Sequence, residues 1–311
     1  MDNILCKADM TIEIAGIKWK NPVTTASGTF SPRDSIELYD YSKLGAVTTK
    51  GVSIDPWTGN KTPRIAESPS GMLNSVGLEN PGVNAYIDDD IPFLSEKLQN
   101  KDCKIITNVA GHTKDEYLKA VDALSSIKEI DMLEINISCP NLDEGGMSFG
   151  TDAETAKDLT MSIKNLTDKP IILKLTPNVT DICEIAYAVE QAGADAISMI
   201  NTLSGMRIDA KKAEAVLAVK KGGLSGPAVK PVALRMVYDT AKTVSIPTIG
   251  MGGIATGTDA AEFIMAGASA VAVGTASLTE PGAPLRILEE LESFMKQQGY
   301  NSINEMKGII K

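Results

Sequence analysis

The chain has 311 residues, 43% of them hydrophobic but only 5% aromatic, enough for one large core or two modest ones in an ordinary soluble globular protein. With 30 basic against 40 acidic residues the formal charge is −10, which disfavours nucleic acid or an anionic membrane as the main partner. No stretch approaches the roughly eighteen uninterrupted apolar residues of a membrane span. The opening MDNILCKADM lacks a long apolar segment behind a basic one, so no secretory signal is expected and the cytoplasm is the default location. Residues 11–19, with Ile12, Ile14, Ile17 and Trp19 flanking Ala15-Gly16, read as a small N-terminal hairpin lid.

Short β-rich runs then alternate with helical segments. The runs cover residues 23–25, 46–50, 104–109, 132–137, 171–175, 196–200, 247–250 and 270–274. Between them lie segments such as 181–191, where Ile182, Ile185, Ala186 and Val189 fall at helical spacing. A final helix carries Ile287, Leu288, Leu291, Phe294 and Met295. These strand-helix units predict one domain over residues 1–311, an α/β (β/α)8 TIM barrel. A doubly wound open sheet is the alternative, but regular repeats of this number close naturally. Two connections, from Gly51 to the region of Ile91 and from Asn201 to Lys230, are too long for plain loops and are expected to run over the C-terminal mouth.

A barrel of this kind carries its chemistry at the C-terminal ends of its strands, and polar residues gather there. Lys50 ends the second run, Asn108 and Asn136 lie at the ends of the third and fourth with one residue beyond each, Lys174 is next to last in the fifth, and Asn201-Thr202 follow the sixth. Period-two alternation in 132–137 sets Glu134 and Asn136 opposite Ile135 and Ile137. In 171–175 it aims Lys174 at the barrel axis, where an ammonium needs an anion. Cys139 follows on a loop with Pro140, Asn141 and Gly145-Gly146. A lone Cys is most often a small buried hydrophobe, yet the proline and paired glycines mark this loop as exposed. The four cysteines, Cys6, Cys103, Cys139 and Cys183, form no CxxC pair, which fits reduced thiols and no metal cluster.

The turns 250–254 (GMGGI) and 273–276 (VGTA) each lead from a strand through glycines towards a helix, and so free backbone N–H groups for a phosphate. Gly250, Gly252 and Ala255 also match the dinucleotide pattern G-x-G-x-x-A, but no acidic residue closes the next strand, so a mononucleotide phosphate fits better. His112, the sole histidine, follows Gly111 on a polar loop and reads as solvated or as part of a helix start.

TASGTF at 25–30, TTKG at 48–51, NSVGLENPGV at 74–83, NISCPN at 136–141, LKLTPN at 173–178, GMGGI and VGTA occur in an order that resembles the dihydroorotate dehydrogenases over nearly the whole chain. The resemblance is to their cytosolic class with a cysteine base. Gly145-Gly146 and ENPGV resemble the NAD-linked two-subunit group more than the fumarate-linked homodimers. The resemblance implies one FMN per chain, with its phosphate on Gly252-Gly253 and Gly274-Thr275. Ser27, Lys50, Gly51, Asn108, Asn136, Lys174, Ile200 and Gly226 would surround the rest, with Lys174 near a negatively charged reduced flavin. Dihydroorotate would be fixed by Lys50, Asn74, Ser75, Val76, Gly77, Leu78, Asn136, Asn201 and Thr202. Cys139 would be the base that takes a proton from C5 while FMN accepts the hydride from C6, giving orotate for UMP synthesis. FAD and a [2Fe-2S] cluster would belong to a partner subunit docked on a homodimer core, a heterotetramer that reduces NAD.

Two other readings are a dihydropyrimidine dehydrogenase-like flavin barrel, disfavoured by Lys50 beside NSVGL, and a non-enzymatic flavin- or phosphate-binding barrel. An aldolase using Lys174 would leave Cys139 and NSVGL unexplained.

Overall fold

The computed structural model describes residues 8–37, 39–98, 102–138 and 148–310. The chain enters through an antiparallel hairpin of β1 (Ile12–Ile14) and β2 (Ile17–Trp19), turned at Ala15-Gly16 with both residues at positive φ. Ile14 and Trp19 are fully buried, and the hairpin feeds directly into the first barrel strand, so it covers the end at which the strands begin.

The eight predicted runs are the eight strands of one parallel sheet. They are β3 (Val23–Thr25), β4 (Ala46–Thr48), β7 (Lys104–Val109), β8 (Met132–Asn136), β9 (Ile171–Lys174), β10 (Ala196–Met199), β15 (Thr248–Met251) and β16 (Ala270–Val273). Several strands stop a residue or two before the apolar run does, so Lys174 is the last residue of β9 and Lys50 lies beyond β4. The sheet order β3-β16-β15-β10-β9-β8-β7-β4 brings its two ends together. Strands covered on both faces need apolar side chains on both, and the Val, Ile, Leu and Ala of these runs are almost all fully buried. Outside them pack helices such as Ile182–Gln191, which buries Ile182, Ile185, Ala186 and Val189 and is capped by Asp181, and Ala283–Gln298, which buries Ile287, Leu291 and Met295. No helix among the described residues is long and apolar enough to cross a membrane.

A threonine closes the seam between β3 and β4. Thr25 Oγ1 accepts from the Thr48 N–H at 2.9 Å and donates to the Thr48 carbonyl at 3.0 Å, while the Gly45 N–H reaches the Val23 carbonyl at 3.1 Å. One hydroxyl, a single donor with two lone pairs, thus replaces two ladder bonds. In Thr25→Val, a near-isostere, both Thr48 backbone groups lose their partner at a position only 3% exposed. At about 1–3 kcal/mol for each of the two buried orphans, the expected loss is about 2–6 kcal/mol. Urea unfolding measures it, and a change below about 0.5 kcal/mol would show that the hydroxyl does not hold the seam.

The two long connections do leave the barrel, and they meet. The first contributes β5 (Ile65–Ser68) and β6 (Gly71–Asn74), the second β11 (Leu203–Met206) and β14 (Lys221–Ser225), in one antiparallel sheet ordered β11-β14-β6-β5. A ribbon of β12 (Ile208–Asp209) and β13 (Glu214–Ala215) extends the second. The sequence showed two excursions without showing this pairing. β14 reads KGGLS, with no period-two pattern, because its glycines make room for neighbours: a Cβ on Gly223 would lie 2.0 Å from Thr202 Oγ1.

Candidate active site

The floor of the mouth is a polar cluster built from four adjacent strands. Glu134 on β8 is almost wholly buried, and its Oε1 accepts from Asn108 Nδ2 of β7 at 2.6 Å, its Oε2 from Ser198 Oγ of β10 at 2.7 Å. Lys174 on β9 points inward as the alternation required. Its Nζ donates to Ser27 Oγ at 2.9 Å and stands 3.9 Å from Glu134 Oε1. This corrects one expectation: the lysine does not wait wholly on an external anion, since the next strand supplies a carboxylate. The signal was present in MLEIN, where Glu134 shares a face with Asn136, but it carried no role.

Asn136, the last residue of β8, forms the next layer. Its Oδ1 accepts from Asn201 Nδ2 at 3.2 Å and from the Ser138 N–H at 3.3 Å, and its carbonyl accepts from Tyr117 Oη at 2.5 Å. Asn201 in turn accepts from the Thr202 N–H at 2.8 Å. Asn178, absent from the sequence-derived set, binds the Thr202 carbonyl and the Ser204 N–H and so fixes the start of the second excursion. Asn74 donates to the Gly223 carbonyl at 3.5 Å, which brings the NSVGL turn beside Thr202. That turn is braced from behind, with the Ser75 N–H on Arg64 O and the Asn60 N–H on Val76 O. Gly77 and Leu78 both take positive φ, and the buried Ser75 Oγ has no partner among the described residues.

Lys50 is half-buried, and its ammonium has no hydrogen bond or ion pair among the described residues. Beneath it Thr49 Oγ1 meets Tyr86 Oη at 3.1 Å, and Tyr86 Oη meets Thr107 Oγ1 at 2.8 Å, tying the exit of β4 to β7. Burial pushes the Tyr86 phenol up to about 12, so the hydroxyl keeps its proton and acts as a strut. Gly51 comes close to the cluster: a Cβ there would lie 2.8 Å from Asn108 Oδ1, a buried acceptor with no partner among the described residues.

Three backbone turns converge on the other side of the mouth. A Cβ on Gly253 (φ +78) would lie 2.8 Å from the Gly226 carbonyl, and one on Gly226 would lie 3.6 Å from Thr275 Cγ2. Gly252 (φ +131) lies against Ile200. No residue with a side chain adopts this path without strain. Among the described residues, the N–H groups of Gly253, Gly274 and Thr275 meet no acceptor outside the strand ladders. Such a concave set of free N–H groups suits a phosphate. The helix Gly257–Met265 does not share in it, because Thr256 and Asp259 close its N-terminus as a capping box. Burial alone would raise the Asp259 carboxyl, but hydrogen bonds from Lys230 and the Ala255 N–H outweigh it and hold the group below its ordinary value. Gly250 stands inside β15 against Phe263, a packing glycine, so the G-x-G-x-x-A match is coincidental. The free N–H groups, the buried Asn108 Oδ1 and the partnerless Lys50 together fit a phosphorylated, hydrogen-bonding cofactor with an anionic substrate.

The sequence profile of the dihydroorotate dehydrogenase family matches residues 9–295. The chain belongs to the dihydroorotate dehydrogenase family. It is 53% identical over 305 residues to a protein of Alkaliphilus oremlandii, covering 98% of this chain and 99% of that one. It is 50% identical over 301 residues to one of Lachnoclostridium phytofermentans (96% and 99%) and 48% identical over 305 residues to one of Geotalea uraniireducens (98% and 99%). Each of the three is named dihydroorotate dehydrogenase B (NAD(+)), catalytic subunit.

Within this family member the thiols sort by environment. Burial pushes Cys103 up to about 12, which removes it as a base at neutral pH. Cys139, like Pro140, Asn141 and Gly145-Gly146, lies outside the described residues. The residues flanking that stretch are fixed: the Ile137 carbonyl accepts from Ser148 Oγ and from the Gly150 N–H, each at 2.7 Å. His112 sits at a helix start, its N–H on Glu116 Oε2 at 2.7 Å before the N-cap Thr113, and its ring stacks on Trp57 at 3.8 Å, a contact no local pattern announces.

Proposed function

We propose that the chain, as one domain over residues 1–311, oxidises (S)-dihydroorotate to orotate in UMP synthesis. In this reading it is the cytoplasmic catalytic subunit of an NAD-linked dihydroorotate dehydrogenase. The observation that carries the reading is Lys50, a half-buried cation with no partner among the described residues, at the same strand ends as the hydrogen-bonded amides of Asn136 and Asn201 and the close glycine turns of Gly226 and Gly253. Bound FMN, one per chain, supplies the hydride acceptor. Its phosphate is assigned to Gly252, Gly253, Gly274 and Thr275, and the remainder to Ser27, Lys50, Gly51, Asn108, Asn136, Lys174, Ile200 and Gly226. Lys50 takes the substrate carboxylate, and Asn74, Ser75, Val76, Gly77, Leu78, Asn136, Asn201 and Thr202 hold the ring. Their amide groups can both donate to carbonyl oxygens and accept from ring N–H groups, so they orient a pyrimidine without adding charge. Cys139 receives the C5 proton.

Anaerobic mixing of the FMN-loaded chain with dihydroorotate, dihydrouracil or neither tests this directly. Bleaching of the flavin by dihydroorotate alone supports the proposal. Bleaching by dihydrouracil moves the chain to the dihydropyrimidine class, and bleaching by neither leaves a binding protein. Lys50→Ala removes a charge-assisted contact of about 1.5–3 kcal/mol, so orotate should bind about 10- to 100-fold more weakly. An orotate titration of unchanged affinity in Lys50→Ala would remove the argument for a carboxylate substrate.

A further inference from the structure

Glu134 is the buried charge to which the proposed reaction gives no task. Its side chain is 3% exposed, and side chains from three neighbouring strands surround it: Asn108, Ser198 and Lys174. A buried ion pair that served only to hold the barrel together should close to direct contact, because separated charges in a poorly polarisable interior are costly. Here the lysine's short contact is Ser27, at 2.9 Å, while Glu134 stands off at 3.9 Å with its oxygens engaged by two neutral donors. The cluster is also incomplete. A carboxylate only accepts, so Glu134 dictates that Asn108 turns its Nδ2 inward, which leaves Oδ1 buried, partnerless and facing Gly51.

We propose that Glu134 is a positioning residue for the flavin: held off Lys174 by Asn108 and Ser198, it offsets the lysine's charge and turns the Asn108 oxygen towards the ligand. The inference rests on the FMN assignment above. Lys174 alone would favour a reduced, negatively charged flavin, and a nearby negative charge weakens that preference. A protein that must hand electrons on needs such a counterweight.

Reductive titration of the FMN-loaded chain against reference dyes reads the effect, with FMN retention and melting temperature measured in parallel. Glu134→Gln keeps the size and an acceptor for Asn108 but removes the charge. The flavin equilibrium should shift about tenfold towards the reduced form, about 30 mV upward for a two-electron couple. Ser198→Ala keeps the charge but frees Oε2, so the carboxylate can close on Lys174, and the potential should fall, as it should in Lys174→Met. General loosening of the fold would not move two variants of one contact in opposite directions. Wild-type potentials in both variants, or a fall in Glu134→Gln, overturn the proposal. If Glu134→Gln retains no FMN, Ser198→Ala decides alone. If the wild-type chain takes up no FMN, the cofactor assignment fails and this inference with it.

Discussion

Cys139→Ala should keep FMN and lose turnover: the rate at which dihydroorotate bleaches the flavin is expected to fall by about 10²- to 10⁴-fold, the usual contribution of a positioned base. Two described groups that could compete for the task are engaged elsewhere. Cys103 is buried with its thiol pushed up to about 12, and His112 is engaged with Glu116 and Trp57. A thiol of reference pKa about 8.5 is a usable base near neutrality, and the wild-type rate should climb with pH as the thiolate fraction grows towards that value. Cys139→Ser should retain slight activity that keeps rising with pH, since a hydroxyl is a far weaker acid. Stopped-flow absorbance at several pH values measures all three proteins. A Cys139→Ala rate equal to wild type would exclude the thiol as base.

The barrel was legible because its strands are buried on both faces. Runs such as IILKL and SAVAVG must be apolar throughout, and any polar residue within them is conspicuous, which is how Lys174 and Asn136 announced themselves. The pairing of the excursions was not legible. Gly223 opposite Asn74 and Leu224 opposite Leu73 join residues about 150 positions apart, and a glycine-rich strand leaves no periodic trace. The seam at Thr25 and the clamp from Tyr117 to the Asn136 carbonyl were hidden for a related reason. Each is one side chain bonded to a backbone that only the closed barrel brings near. Glu134 lay between the two cases, its inward direction readable from alternation, its partners on β7, β9 and β10 readable only from the fold.

Expressed alone, the chain should oxidise dihydroorotate with an artificial dye, turn over fumarate poorly and reduce no NAD. Electrons leaving a flavin in the barrel mouth towards NAD need further carriers, and the sequence restricts what this chain can hold. An iron-sulfur centre takes a cluster of cysteines, whereas the chain has 4, none within a CxxC pair, and Cys139 is assigned to the chemistry. The one dinucleotide-like glycine pattern offers no second nucleotide site, since Gly250 packs against Phe263 inside β15 and the proposed reading assigns Gly252-Gly253 to the FMN phosphate. A route to NAD therefore leaves the chain, and we propose that it runs through a partner subunit carrying FAD and a [2Fe-2S] cluster, docked on a homodimer of this chain to make a heterotetramer. The relatives named as catalytic subunits support a partner of some kind. The competing arrangement is a self-sufficient homodimer that passes its electrons to fumarate. Dye-only activity of the isolated chain, with NAD reduction restored on adding the FAD/iron-sulfur subunit, supports the partner; efficient fumarate turnover, or NAD reduction by this chain unaided, rejects it.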